Sequence, residues 1–283
     1  MAVKKGKTSK LKVKAAYLPG FLSHYTTLEG LKGIIKSRAL WASNASFLND
    51  RAELIHALKA SERAIKMLSS KKAYKSWESM LRSVYDELSE GLKADTYVAC
   101  FCKDDDNLSQ WRAYGGSVQG ISVTFDRVAL SKRLQQDNAL LYKVTYAKFS
   151  TASKLHDALA DELVAIAKLD EFSGQDDDAK YADLFRRFSS LLPKFKHLGF
   201  QDEREWRYVV QQPTQNKMVD FRISSNKIVP YIVIGESGEL LPIEDVRIGP
   251  GPDPELTARS VQTFLKAMGY NIDVDISDVP FRP

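Results

Sequence analysis

Cysteine is nearly absent: Cys100 and Cys102 are the only two in 283 residues. Two thiols cannot build a disulfide framework. Their i, i+2 spacing on a predicted strand puts both on one face, where neighbours seldom bridge. They read as reduced, which points to a cytoplasmic location. No further ligands are spaced to complete a zinc site, so none is expected. Long apolar runs are also missing. None approaches the roughly 18 residues of a membrane span, and no apolar stretch follows the first lysines as a secretory signal requires. A basic body surface is missing too. The formal charge is +5, but Lys4, Lys5, Lys7, Lys10, Lys12 and Lys14 exceed it, leaving −1 for the rest. That argues against a duplex-binding surface, which needs many cations to neutralise phosphates. Residues 1–16 read as a disordered basic arm that could touch an anionic partner.

What is present is ordinary globular material, 44% hydrophobic and 27% charged. It suffices for a large core without metal or disulfides. Residues 17–283 read as one domain. Leu28, Leu31, Ile34 and Ile35 have helical spacing, with Thr26 and Glu29 as a capping box. Asp50 reads as the cap of a second helix, and 73–92 as a third. Thr96–Cys102 reads as a strand, followed by a short helix ending at Gly115–Gly116. Strands are expected at 120–125 and 142–146, and helices at 153–169 and 180–195. The last third reads as strands at 205–211, 218–223, 228–234 and 246–248. Asp253 and Pro254 open a final helix with Gly269 past its end, and 271–276 reads as a closing strand. Helices early and strands late, with little βαβ alternation, predict an α+β fold: a helix-rich N-terminal half around a mostly antiparallel central sheet.

Four polar clusters are candidates for chemistry. The first is Ser23-His24-Tyr25-Thr26, at a strand end before a helix, where free N–H groups favour anions. His24 could meet a ribose or phosphate there; it could equally bond backbone. The second is Leu48-Asn49-Asp50 with Glu53; Asp50 and Glu53 suit a helix cap, whereas Asn49 has no evident structural duty. The third is Gln110-Trp111-Arg112-Ala113-Tyr114. Trp111 and Tyr114 share a helical face, and an aromatic pair beside Arg112 suits a flat anionic ligand. The fourth is 202–210. Strand alternation sends Glu203, Glu205 and Arg207 one way and Arg204, Trp206 and Tyr208 the other. The charged row is costly inside a domain unless its members pair or face a cleft.

Taken in order, and with the ending Ser277-Asp278-Val279-Pro280-Phe281-Arg282, these clusters resemble a bacterial family known as domain of unknown function 2971. That family carries no settled activity. A histidine before Tyr-Thr and a late Glu-x-Glu are also similar to the ADP-ribosyltransferase fold, although its usual Ser-Thr-Ser strand is not found here. That likeness implies NAD as a substrate bound by His24, with Tyr25, Trp111 or Tyr114 stacking on nicotinamide. Glu205 would stabilise the oxocarbenium-like state at the ribose. Glu203 would serve as general base, and Arg112 or Arg207 would neutralise pyrophosphate. Thr26, Asn49 and Gln110 complete the expected binding residues. On this reading His24, Trp111 and Glu205 line one cleft.

The function expected is an NAD-dependent ADP-ribosyltransferase or NAD glycohydrolase, of the kind found in bacterial toxins and antiphage effectors, acting on a protein or nucleic-acid acceptor. The alternatives are a non-catalytic module of a defence system that binds a nucleotide-like molecule or a protein, and a metal-dependent nuclease using Asp50, Glu53 and the late carboxylates.

Overall fold

A computed structural model describes residues 18–47, 51–91, 96–114, 119–147, 151–168, 176–211, 217–224 and 226–280. The expected basic arm, Asn49 and Asp50 lie outside the described residues, as does the side chain of Glu53.

Most strands join one mixed but largely antiparallel sheet of ten. It is built around β3 (Thr96–Cys102). One edge of β3 pairs along its whole length with β8 (Glu205–Gln211), and β5 (Ala139–Lys143) lies beyond β8. The other edge is shared by two strands end to end. β1 (Phe21–Thr27) meets it at Ser23↔Cys102. β2 (Leu40–Asn44) meets it at Ser43↔Val98 and Asn44↔Tyr97. The sheet therefore forks at β3. Beyond β1 come β4 (Gly120–Asp126), β11 (Ile243–Ile248) and β12 (Val274–Ile276). Beyond β2 come β10 (Lys227–Ile234) and β9 (Asp220–Ser224). β6 (Thr145–Ala147) and β7 (Phe195–His197) form a separate parallel pair.

The faces of the sheet are packed differently. One carries the main core: Leu22, Phe101, Phe125, Tyr208 and Ile232 meet residues of α1 (Leu28–Ser37), α5 (Arg127–Leu134) and α8 (Pro254–Ala267). A second core lies among α2 (Arg51–Ser69), α3 (Glu78–Gly91), α6 (Thr151–Lys168) and α7 (Asp177–Leu191), where Leu68, Leu88, Leu159 and Phe188 are fully buried. A small third cluster joins Tyr25 and Cys102 to Trp111 of α4 (Leu108–Tyr114).

The α+β expectation holds, with local corrections. Thr27, not Thr26, caps α1: its hydroxyl accepts from Gly30 N–H at 3.2 Å, while Thr26 is still in β1. The expected capping box does not form, because the strand runs further than its apolar pattern suggests: with Thr27 as the cap, the third helical position is Gly30, which has no side chain to reach back. The expected helix over 73–92 opens as a 3₁₀ stretch and becomes α-helical only at Glu78. Sequence patterning missed α5, whose cap is Asp126, and the three-residue β7. Asp253 caps α8 as expected, accepting from Leu256 N–H.

Candidate functional site

Strand register decides which side chains can meet. Residues directly opposed in an antiparallel pair share a face. Ser23↔Cys102, Cys102↔Glu205 and Cys100↔Arg207 therefore project from one side of the sheet. Phe101↔Trp206 and Ala99↔Tyr208 project from the other, into the main core. His24 follows Ser23 and sits on the core side, with its ring 5.5 Å from that of Phe101. The expected cleft shared by His24, Trp111 and Glu205 is not formed. Alternation along β1 puts the thickness of the sheet between His24 and Glu205.

His24 has a definite job where it is. The fork leaves the middle of β3 without a strand on that edge, and His24 Nδ1 lies 2.8 Å from the Cys100 carbonyl oxygen. A carbonyl only accepts, so Nδ1 carries the proton and donates. Burial lowers the His24 pKa, against that bond, which raises it. The imidazole is a neutral plug for an orphan strand carbonyl.

On the opposite face, Glu205, Arg207 and Lys196 are each under 7% exposed. Glu205 Oε1 accepts from Arg207 Nε at 2.6 Å, and Oε2 accepts from Arg207 Nη2 at 2.8 Å. Lys196 Nζ donates to Glu205 Oε2 at 3.2 Å and to Glu203 Oε2 at 2.6 Å. Arg207 Nη1 donates to the Pro193 carbonyl, and Glu205 N–H to the Tyr146 hydroxyl. Two carboxylates thus meet two cations, and the cluster ties the sheet to β7 and the turn before it. Burial alone would raise the Glu205 pKa, but the Arg207 and Lys196 charges and bonds outweigh it and hold the carboxyl down at about 2. The same burial, with Glu205 nearby, pushes the Cys100 thiol well up, and burial pushes Cys102 to about 12. Neither thiol is a thiolate at neutral pH.

Beside the cluster is a small cavity edged by Ser23, Tyr25, Gln110, Tyr114, Glu203 and Glu205, with space for about one water. Five of the expected site residues therefore do converge. Tyr25 is fully engaged there: its hydroxyl donates to the Asp104 carbonyl and accepts from Asn107 N–H. Gln110 Nε2 donates to the Glu203 carbonyl at 3.2 Å. Burial raises the pKa of both Tyr25 and Tyr114.

Other expected residues lie apart. Trp111 is 1% exposed, packs edge-on against Tyr25 at 4.7 Å, and donates Nε1–H to Asp106 at 2.7 Å. It is a buried strut, not a stacking platform. Arg112 is exposed on α4, and Thr26 lies within β1, one residue before its end, and does not cap α1. Among the described residues, no group of three or more His, Cys, Asp or Glu could hold a metal ion. None of their helices is long and apolar enough to cross a membrane.

Sequence reasoning missed Lys196 and Tyr146. Nothing in the sequence marks Lys196: both it and its neighbour Phe195 are buried, which defeats simple alternation. A second concavity was also missed. It is an open groove of about 540 Å³ between β5, α6 and the turn at Lys194.

Residues 110–208 match the model of a family described as "Protein of unknown function (DUF2971)". The matched stretch runs from Gln110 in α4 to Tyr208 in β8 and includes all four charges of the buried cluster. No curated protein and no solved structure matches the chain.

Proposed function

For this member of the DUF2971 family, we propose a ligand-binding module in which the Glu203–Lys196–Glu205–Arg207 cluster serves the fold and not turnover. One observation carries this reading: both oxygens of the Glu205 carboxylate are already held by Arg207 and Lys196. A carboxylate that stabilises a ribosyl cation must direct an oxygen at the substrate as charge develops. Here every strong acceptor position is spent inside the protein. Ion clusters of this kind are costly to break, because loss of one member strands its partner without water.

A second reading is NAD cleavage or ADP-ribosyl transfer. It has one observation in its favour: Glu203 and Glu205 border one cavity with Tyr25, Gln110 and Tyr114. For that chemistry the cavity would have to open and Lys196 withdraw. Incubation of the full chain with NAD, with mass detection of free nicotinamide, separates the two. The binding reading expects no release above a Glu205→Gln control that remains folded. Release by the wild type alone would establish turnover and remove the binding-module reading.

A further inference from the structure

The groove at Lys194 shares no lining residue with the cavity beside Glu205. Its charges are arranged differently as well. Lys194 is half-buried, and its ammonium sits 3.7 Å from the centre of the Tyr142 ring. Among the described residues it has no hydrogen bond or ion pair. Glu162, the carboxylate whose field reaches it, is already taken by Arg187 at 2.8 Å. Burial draws the Lys194 pKa down to about 8, against that weaker pull from Glu162. A cation left on an aromatic face, desolvated and without its own anion, is a seat for an incoming one.

The facing wall is of mixed sign: Lys154 stands in the first turn of α6, where it donates to the Tyr146 carbonyl, and two acids follow it, while Lys143 of β5 also lines the groove. Asp157 and Asp161 lie one turn apart on α6 and both line the groove. Asp157 is fixed by a chain of hydrogen bonds: Lys71 Nζ lies 3.1 Å from His156 Nε2, and His156 Nδ1 lies 2.9 Å from Asp157. The ammonium must donate to Nε2, so Nδ1 carries the proton and donates to the carboxylate. Asp161 is exposed. Between the two walls lie the apolar surfaces of Leu191 and Phe195. A volume of about 540 Å³ lies within the range of small-ligand sites. Lys143, Lys154 and Lys194 against Asp157, Asp161 and Glu162 leave the lining without the net positive charge that a phosphate chain calls for. The two aspartates attract the amine of a molecule whose carboxylate reaches Lys194.

We propose that this groove binds a small zwitterion of the amino-acid class, with its carboxylate on Lys194, its ammonium on the Asp157–Asp161 side and its apolar part on Leu191 and Phe195. The proposal deepens the binding-module reading, and the two fail separately. Nicotinamide release would remove that reading without emptying the groove, and an empty groove would leave the Glu205 cluster as described.

The test is NMR on the full chain labelled with ¹³C-lysine, following the Lys194 ε-methylene signal. The Lys194→Met protein assigns that signal by its absence. Phenylalanine is the probe; phenylpropionate and phenethylamine each keep one of its charges, and ADP is the nucleotide arm. Phenylalanine should shift the Lys194 signal saturably and raise its titration midpoint. Each single-charge analogue should bind at least about tenfold more weakly, as expected when a charged contact in a partly desolvated site is lost. Lys194→Met and Asp161→Asn should weaken phenylalanine binding, measured by calorimetry, by a similar factor without lowering the melting temperature. No saturable shift, full affinity in Lys194→Met, or tighter binding of ADP than of phenylalanine would each overturn the proposal.

Discussion

The cavity beside Glu205 and the groove beside Lys194 treat charge in opposite ways. At the first, two carboxylates and two cations satisfy one another, and the space left holds about one water. At the second, a half-buried ammonium has an aromatic ring beneath it, and about 540 Å³ of open groove beside it. Buried charge with every partner present is architecture. Charge that is desolvated and left incomplete is available to a ligand. The perturbed pKa of Glu205 and that of Lys194 both mark unusual sites, but only the second marks a vacancy in the electrostatics.

The sharpest way to break this contrast is at Glu205. Glu205→Gln should destabilise the protein by about 3–5 kcal/mol, the cost of leaving a buried cation unpaired. Chemical denaturation would show it. Low pH should act in the same direction. The folded pKa of about 2 is below the ordinary 4.5. The Glu205 contribution is therefore complete above 4.5 and is lost as pH falls from there towards 2. An acid melt of Glu205→Gln should lack that portion of the wild-type slope.

Much of this region was readable from sequence. Alternation correctly put Trp206 and Tyr208 into a core with Glu205 and Arg207 on the other side. It also suffices to separate Ser23 from His24, but the sequence does not show which face of β1 meets Glu205. That depends on the Ser23↔Cys102 register across β3. Lys196 was hidden because it is brought in by a three-residue strand with no periodicity to detect. The groove was hidden because its walls come from β5, α6 and the turn at Lys194, which only tertiary packing brings together.

The next effect in size belongs to the fork. His24→Phe keeps a ring against Phe101 but removes the donor to the Cys100 carbonyl. A buried acceptor left unpaired costs about 1–3 kcal/mol, and the melting temperature should fall accordingly. The nicotinamide assay should read the same for this variant as for the wild type, since His24 faces away from Glu205.

A smaller change of opposite sign is expected at Asp245. Its Oδ2 is buried without a hydrogen-bond partner among the described residues. Burial, and then the nearby Asp275 charge, raises its pKa from 3.8 to about 6. Here the folded state holds the proton more tightly. This group's stabilising contribution is therefore full below 3.8 and is lost as pH rises through 6. Asp245→Asn should melt higher than the wild type at pH 7, and the gap should close between pH 6 and pH 4. A lower melting temperature at pH 7 would show that Arg247 needs that charge.

The smallest effect is expected at the groove. Lys194→Met should not lower stability: it removes a desolvated charge without stranding a hydrogen-bonded partner, so any change at pH 7 should be a modest gain. A large loss there would make Lys194 architecture too, and the contrast between the two sites would disappear.

The central claim is tested most directly by a double-mutant cycle on Glu205 and Arg207, read as unfolding free energy in denaturant. The variants are Glu205→Gln, Arg207→Met and both together. If the pair is a buried structural clamp, each single change should cost several kcal/mol. The double change should cost much less than their sum, because neither charge is then stranded. Additive losses, or a Glu205→Gln protein that unfolds like the wild type, would contradict the clamp and leave Glu205 free for chemistry.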